Sequence, residues 1–236
     1  MRRISLLTLT AVLVVGLLSS CIGEMETETR EVSGFSAVAI STFGEFEIRQ
    51  GDNESLTISA PSSYLRYIET EVENGTLTIS TRRGLWGAPT NRVQYTLTVK
   101  DLNSLHLSGA GLVKIVGGLQ TDTFSLNLSG AGSIEVEDLT AQTLSANLSS
   151  AGAMSVSGKV ETQSVNLSGV GSYEAGDLQS KIASINLSGA GSATIWATDS
   201  LDVAVSGVGS VGYYGSPTVT QNVSGLGSVN SRGEHN

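Results

Sequence analysis

Four carboxylates are the candidates for acid–base chemistry in this chain of 236 residues: Glu135, Glu137, Asp138 and Glu174. Two carboxyl groups that face each other across a cleft can serve as general acid and as base or nucleophile in the cleavage of a polysaccharide. Glu174 lies far from the other three in the chain, so such a pair needs a fold that brings it back to them. We therefore interpret the four as solvated surface charges, with a polysaccharide-acting enzyme as the alternative.

Histidine and cysteine residues are too few for a conventional metal site or a nucleophilic triad. The chain has two histidines, His106 and His235, and one cysteine, Cys21. A structural zinc site takes about four such ligands, and the sequence contains neither a GxSxG motif nor a GxxxxGK phosphate loop. The sequence predicts a protein that is not an enzyme and that uses no metal or cofactor.

Cys21 has the most specific chemistry of any residue. Two arginines precede a mostly apolar stretch (residues 4–18), and the residues LSSC (18–21) close the segment. This is the layout of a secretory signal, too short for a membrane-spanning helix, and its end resembles the lipobox of bacterial lipoproteins. That resemblance implies that residues 1–20 are removed and that Cys21 is acylated, with an ordinary signal peptide as the alternative.

The anchor implies a location. We expect residues 21–31 to form an acidic, flexible tether to the membrane. The residue after the cysteine is Ile22 rather than aspartate, which favours the outer membrane and leaves the periplasmic or surface side open. The formal net charge is −9, and the sequence has no basic stripe, so nucleic acid is not an expected partner.

A six-residue motif recurs seven times between His106 and Gly227. The copies read HLSGAG, NLSGAG, NLSSAG, NLSGVG, NLSGAG, AVSGVG and NVSGLG, and successive copies are 18–21 residues apart. A short motif at nearly constant spacing is typical of stacked, solenoid architectures. A propeller blade needs about four strands, too many for such a repeat; a β-sandwich is the other alternative.

Residues around each motif alternate between apolar and polar, as in strands with one buried face. We predict an all-β fold, a right-handed β-helix or β-solenoid of about seven coils of 18–21 residues. We also expect the motif glycines to adopt positive φ at a corner. Residues 32–100 alternate without the motif and should form N-terminal coils or a cap, continuous with the repeats of 101–230 in one domain (32–230). Residues 231–236 are predicted to be disordered.

Two columns of the repeat carry candidate binding residues. Asparagine stands two positions before the motif serine in five copies, where stacked amides can hydrogen-bond along the solenoid. Trp196 and Tyr214 both stand eight positions after the motif serine, on neighbouring coils. Adjacent exposed rings can stack on a sugar or a protein partner, so these two form the predicted contact patch. The alternative is that they pack against the C-terminal segment.

The order of the strands resembles the family called putative auto-transporter adhesin, head GIN domain. The resemblance rests on the segments FSAVAIST, GEFEIRQG, SLTISAP, YIETEVENGTLTIS and YTLTV, followed by the repeated LSGxG. It implies an exported, often lipid-anchored β-helical domain and brings no catalytic residues. We expect a non-enzymatic cell-envelope protein, structural or binding, that presents a strand face to glycan or protein. A homo-oligomeric scaffold, assembled through the exposed last coil, is a further alternative.

Overall fold

The alternating residues around each motif form strands that follow the sides of a solenoid. The computed structural model describes residues 24–82 and 93–235; the signal segment and Cys21 lie outside them. The strands are β1 (Met25–Arg30), β2 (Ala37–Ser41), β3 (Phe43–Gln50), β4 (Ser55–Pro61), β5 (Ile68–Glu73), β6 (Thr76–Thr81), β7 (Gln94–Val99), β8 (Ser104–Leu107), β9 (Ala110–Ile115), β10 (Leu119–Leu128), β11 (Ser133–Leu148), β12 (Ala151–Leu167), β13 (Val170–Leu187), β14 (Ala190–Val205), β15 (Val208–Tyr214), β16 (Thr218–Val223) and β17 (Leu226–Ser231). A single-turn helix, α1 (Ser62–Leu65), follows β4.

Coils of the repeat lie in parallel register, so equivalent residues stack. Leu128 pairs with Leu148, Leu148 with Leu167, and Leu167 with Leu187. All four side chains are buried in one continuous row, and burial of each stabilises the fold by about 1.5–3 kcal/mol relative to exposure. The predicted β-solenoid is confirmed. The solenoid has about six turns, slightly fewer than the seven coils expected. The seven motifs mark corners, and only six intervals lie between seven corners.

The N-terminal strands stack in an order that differs from their order in the chain. Strand β2 pairs in parallel with β6 on one side and with β8 on the other. Strand β3 likewise lies between β7 and β9. After β1, the chain therefore forms the second coil with β2 and β3, builds the first coil outside it through β6 and β7, and returns to the other side to begin the repeats.

Antiparallel strands cover the N-terminal end. Strand β5 pairs with β6, β4 pairs with β7, and β1 pairs with β4 along its whole length. We expected residues 25–30 to belong to the flexible tether. That prediction was wrong for them, because they form strand β1. Arg30 holds the strand in place, since its guanidinium donates to the carbonyl oxygens of Ile68 (2.8 Å) and Leu65 (3.2 Å).

The motif positions require glycine because successive coils approach each other closely there, and not because the backbone adopts positive φ. None of them is among the residues with positive φ, so that expectation was wrong. A Cβ atom on Gly189 would lie 2.0 Å from the carbonyl oxygen of Gly169, and one on Gly209 would lie 1.8 Å from that of Gly191. Such distances are impossible for real atoms, so any side chain must push the two coils apart.

Ser150 shows how the corner responds to a side chain, because it replaces the first glycine of one motif. Its hydroxyl donates to the carbonyl oxygen of Gly130 at 2.5 Å. Pairing with the preceding coil begins there at Ser133 and Ala153, but Ser133 is also where β11 begins to pair with Leu112 on its other side, at a corner where both motifs carry glycine. The late start therefore belongs to β11, and the serine is accommodated through its hydrogen bond to Gly130.

One buried tyrosine belongs to a polar network inside the solenoid. The Tyr173 hydroxyl donates to Gln163 Oε1 (3.3 Å), and Gln163 Nε2 donates to Ser180 Oγ (2.7 Å). All three side chains are buried, so each depends on the others for its hydrogen bonds. Burial raises the pKa of Tyr173 above its ordinary range.

A second buried tyrosine has an unsatisfied hydroxyl. The Tyr95 ring stacks on Phe46 with centroids 4.1 Å apart, but its hydroxyl has no hydrogen-bond partner among the described residues. The neighbouring Thr42 hydroxyl is hydrogen-bonded to Thr81. Burial raises the pKa of Tyr95 to about 12.

The corner geometry predicts opposite effects for two matched substitutions. Gly189→Ala should lower the free energy of unfolding by about 1–3 kcal/mol, because the new methyl group overpacks the corner. Ser150→Gly should leave stability unchanged or raise it, since it places glycine where the other six motifs have it. Urea denaturation of both variants measures the difference. Equal losses in both would show that close approach is not the constraint.

The two tyrosines predict a second matched pair. Tyr95→Phe should raise the free energy of unfolding by up to about 1 kcal/mol, because it removes an unpaired buried hydroxyl, and Tyr173→Phe should lower it by about 1–2 kcal/mol by orphaning Gln163. An unfolded phenol ionises near pH 10, so the native state holds more protons between about pH 10 and 12 and stability falls as pH rises through that window. The advantage of Tyr95→Phe should therefore grow above about pH 10; denaturation curves that shift in parallel would contradict this.

Candidate functional site

Aromatic, acidic and basic side chains meet in a groove on the side of the last coils. This C-terminal groove has a volume of about 230 Å³. It is lined chiefly by Glu174, Gly176, Asp177, Thr194, Tyr214, Arg232 and His235. The residues come from β13, β14, β15 and the C-terminal tail, which are adjacent in the stack.

The stacking register positions the two predicted aromatic residues. Trp196 on β14 pairs with Tyr214 on β15, as the shared column predicted. The Tyr214 ring reaches across the neighbouring coil, where a Cβ on Gly176 would lie 3.2 Å from the ring. The glycine thus leaves room for the ring to lie against the groove.

The C-terminal tail completes the groove and covers Trp196. The His235 ring stacks on Trp196, with centroids 4.1 Å apart and planes inclined by 5°, and meets Tyr214 edge-on at 5.3 Å. His235 Nε2 also lies 3.1 Å from Asp177 Oδ1. The prediction of a disordered tail is corrected for residues 231–235, and the predicted alternative for Trp196, packing against this segment, is what the structure shows.

Backbone hydrogen bonds hold the tail against the preceding coil. Arg232 donates its N–H to the carbonyl oxygen of Tyr213 at 2.7 Å, and Gly215 donates to that of Gly233 at 2.9 Å. The Arg232 side chain crosses Gly212, where a Cβ would lie 2.3 Å from the guanidinium Nε. Two glycines outside the motif, Gly176 and Gly212, are the sequence signal that could have indicated a site here.

The groove combines the groups that recognise a sugar ring. The Tyr214 ring offers an apolar face, and the carboxylates of Glu174 and Asp177 can accept hydrogen bonds from hydroxyl groups. The Arg232 guanidinium lies 5.9 Å from the Tyr214 ring centroid and can donate to a sugar oxygen. Of the two predicted contact residues, Tyr214 lines the groove and Trp196 stacks on His235.

The four candidate carboxylates do not form a catalytic pair. Glu135 is engaged in an ion pair with Lys114 at 2.9 Å, and hydrogen bonding to this carboxylate raises the pKa of Lys114. Ser155 lies between Glu135 and Glu174 in the register, which places the two glutamates two coils apart. Asp138 adopts positive φ, and its backbone N–H donates to Ser157 Oγ at 3.2 Å.

A second, larger concavity lies near the start of the repeats. This polar trough measures about 700 Å³ and is lined by amide, hydroxyl and carboxylate groups, including those of Gln120, Asp122, Gln142 and Glu161. Its lining residues include no aromatic side chain. The trough offers hydrogen bonds without an apolar platform, which distinguishes it from the C-terminal groove.

The asparagine column forms part of the expected ladder. Asn147 Nδ2 donates to Asn127 Oδ1 at 3.0 Å, and Asn166 Nδ2 donates to Asn147 Oδ1 at 3.1 Å. His106 heads the column and lies 3.3 Å from Ser129 Oγ. These amides are engaged with one another, so their role in this structure is to tie coils together.

The described residues contain neither a cluster of metal-binding side chains nor a membrane-spanning helix. Within residues 24–82 and 93–235, no three histidine, cysteine, aspartate or glutamate side chains are grouped so as to hold a metal ion. In the same part of the chain, no helix has the length and apolar character of a membrane span.

Comparisons with known proteins agree on one family and one fold. A sequence model described as "Putative auto-transporter adhesin, head GIN domain" matches residues 34–217. The solved structure of a putative adhesin from Bacteroides fragilis is 29% identical, with a TM-score of 0.86 over 88% of this chain and 97% of that one. A putative lipid binding protein from Parabacteroides distasonis is 26% identical, with a TM-score of 0.71 over 89% and 97%. No curated protein matches the chain.

Proposed function

The chain belongs to the head GIN domain family, and from this premise we propose that it is a non-enzymatic, lipid-anchored protein of the bacterial cell envelope that binds glycan through the C-terminal groove. The observation that carries the proposal is the juxtaposition of the Tyr214 ring with the carboxylates of Glu174 and Asp177 in one groove. An aromatic face beside fixed hydrogen-bonding groups is the usual composition of a small-ligand site.

The arrangement of the carboxylates favours binding over catalysis. A glycosidase needs two carboxyl groups poised on either side of one bond, about 5–9.5 Å apart. Glu135 is paired with Lys114, and Glu174 faces an aromatic residue and a guanidinium group in the groove.

The family and its relatives favour the cell envelope. The Bacteroides fragilis relative is described as an adhesin, which is a surface function, and that description supports an exported location for this chain. The Parabacteroides distasonis relative is described as lipid binding. An acyl chain needs an apolar cavity, and the charged groups of the C-terminal groove suit a sugar better.

The first test is a glycan-array and envelope pull-down screen with residues 24–236. Tyr214→Ala should weaken binding of any glycan hit by about tenfold or more, because one stacked ring contributes roughly 1–2 kcal/mol. Tyr67→Ala is the matched control, since Tyr67 is a half-buried tyrosine near the opposite end. Gln120→Ala tests the polar trough.

Three results of the screen would count against the proposal. Binding that survives Tyr214→Ala and is lost with Gln120→Ala would move the site to the trough. Capture of an envelope protein without binding to any glycan would show that the ligand is a protein and not a glycan. Hydrolysis of a glycan during the screen would overturn the non-enzymatic role.

The lipid anchor predicts a separate result for Cys21→Ser. The full-length chain expressed in a bacterial host should incorporate a labelled fatty acid and partition into detergent, and the variant should lose both properties, because the sole cysteine is the proposed acylation site. Labelling of the variant to the same extent as the wild type, or an unlabelled wild-type chain, would contradict the anchor.

A further inference from the structure

The two ends of the solenoid differ in how their edge strands are protected. At the N-terminal end, β1 and β5 are each paired on one side only among the strands that the structure describes, and they carry the charged residues Glu26, Glu28, Arg30, Glu69, Glu71 and Glu73. Charged side chains on an edge strand prevent pairing with another chain. This end therefore has the usual protection of a sheet edge.

The C-terminal end has no such protection. Strand β16 pairs only with β14, and β17 pairs only with β15, among the described strands. From Pro217 to Ser231 the chain contains no charged residue. Two adjacent sides of the last coil thus present unpaired backbone N–H and C=O groups with nothing to repel a second strand.

The interior of the solenoid also opens at this end. Val223 continues the buried row of Leu187 and Val205, yet it is 40% exposed, whereas Val205 is 1% exposed. In the next interior row Gln221 follows Val203, and it is exposed too. The tail after Ser231 continues alongside β15 in the same parallel register and leaves the end of the core uncovered.

We propose that a second copy of this chain covers this end, so that two solenoids stack through their last coils about a two-fold axis. A head-to-tail arrangement would place the uncharged coil against the acidic edges of β1 and β5, whose charged side chains oppose pairing with another strand. A two-fold contact instead joins two identical uncharged edges, and each copy covers the open core of the other.

The geometry determines which strands pair. With a two-fold axis perpendicular to the solenoid axis, the strands of the partner's last coil run in the opposite direction to those they face. The new strand pairs are therefore antiparallel. With the axis through the corner at Ser224 and Gly225, β16 of one copy pairs with β17 of the other, and both edges are used at once. Leu226 lies beside this corner, is 82% exposed and continues the outward-facing column of Val208; in the dimer the partner's last coil covers the side of Leu226 that faces the open end.

The mass of the full chain, purified in detergent and followed by sedimentation velocity over a wide range of concentrations, tests the proposal. The wild type should be a dimer that dissociates on dilution. Thr220→Lys, on the edge, should weaken association by about a hundredfold or more by placing a charge in the interface. Ser184→Lys is the matched control, because Ser184 occupies the same column two coils inward; it should leave the dimer intact.

Cross-linking locates the interface independently. Ser224→Cys, placed next to the axis, should give a disulfide-linked dimer under mild oxidation, and Ser108→Cys, at the equivalent corner of the first motif, should give none. A monomeric wild type at every concentration, equal cross-linking at both positions, or a cross-linked species with the mass of a different protein would overturn the proposal.

The folding of each variant and the glycan proposal are checked separately. Circular dichroism should show that Thr220→Lys retains the wild-type strand signal and unfolding temperature. Tyr214→Ala should remain dimeric, since its side chain lines the groove and not the edge. Loss of the dimer in Tyr214→Ala would show that the contact depends on the groove, which would overturn the proposed interface.

Discussion

The distance between successive backbones at the LSGxG corner is the constraint on which the rest of this structure depends. At these corners a carbonyl oxygen of one coil occupies the position that a Cβ atom of the next coil would need. Glycine alone allows both chains to keep their hydrogen bonds there. Once the corners are in register, the buried rows, the amide ladder and the aromatic pair all follow, because each residue is then fixed relative to its equivalents on both neighbouring coils. Ser150 is the one first-glycine position of the motif that carries a side chain, and its hydroxyl donates to the carbonyl oxygen of Gly130 on the preceding coil.

The same register that builds the core also builds the candidate site. Tyr214 reaches the groove because its coil lies directly on that of Trp196, and because Gly176 provides no side chain to obstruct the ring. The tail then adds His235 and Arg232, which no repeat supplies. The groove is therefore composite: a periodic wall carries the acidic groups and the ring, and a non-periodic segment closes it. Such a site can change its ligand by altering the tail without any cost to the interior rows.

Periodic features of the fold could be predicted from the sequence, and features that break the period could not. The rows around Leu128 and Leu167, the pairing of Trp196 with Tyr214 and the engaged asparagines follow from repetition alone. The insertion of β2 between β6 and β8 does not, because antiparallel hairpins let the chain leave and re-enter the stack without a local sequence signal. Met25–Arg30 looked like a solvated tether by composition, yet tertiary pairing with β4 makes it a strand. The sequence predicted the position of the glycine corner correctly. The reason for glycine there is the close approach of successive coils, which the sequence of a single coil does not reveal.

Parallel, in-register stacking gives this molecule a length that is counted in repeats. The seven motif corners stack in parallel from β8 to the open end at β17, and each layer adds about 4.8 Å. Duplication or loss of one LSGxG unit would shift the two ends by a single such step, and every interior contact would be reproduced. Reach could thus evolve in fixed increments, independently of what either end binds, and relatives with different numbers of repeats would work at different heights above the same surface.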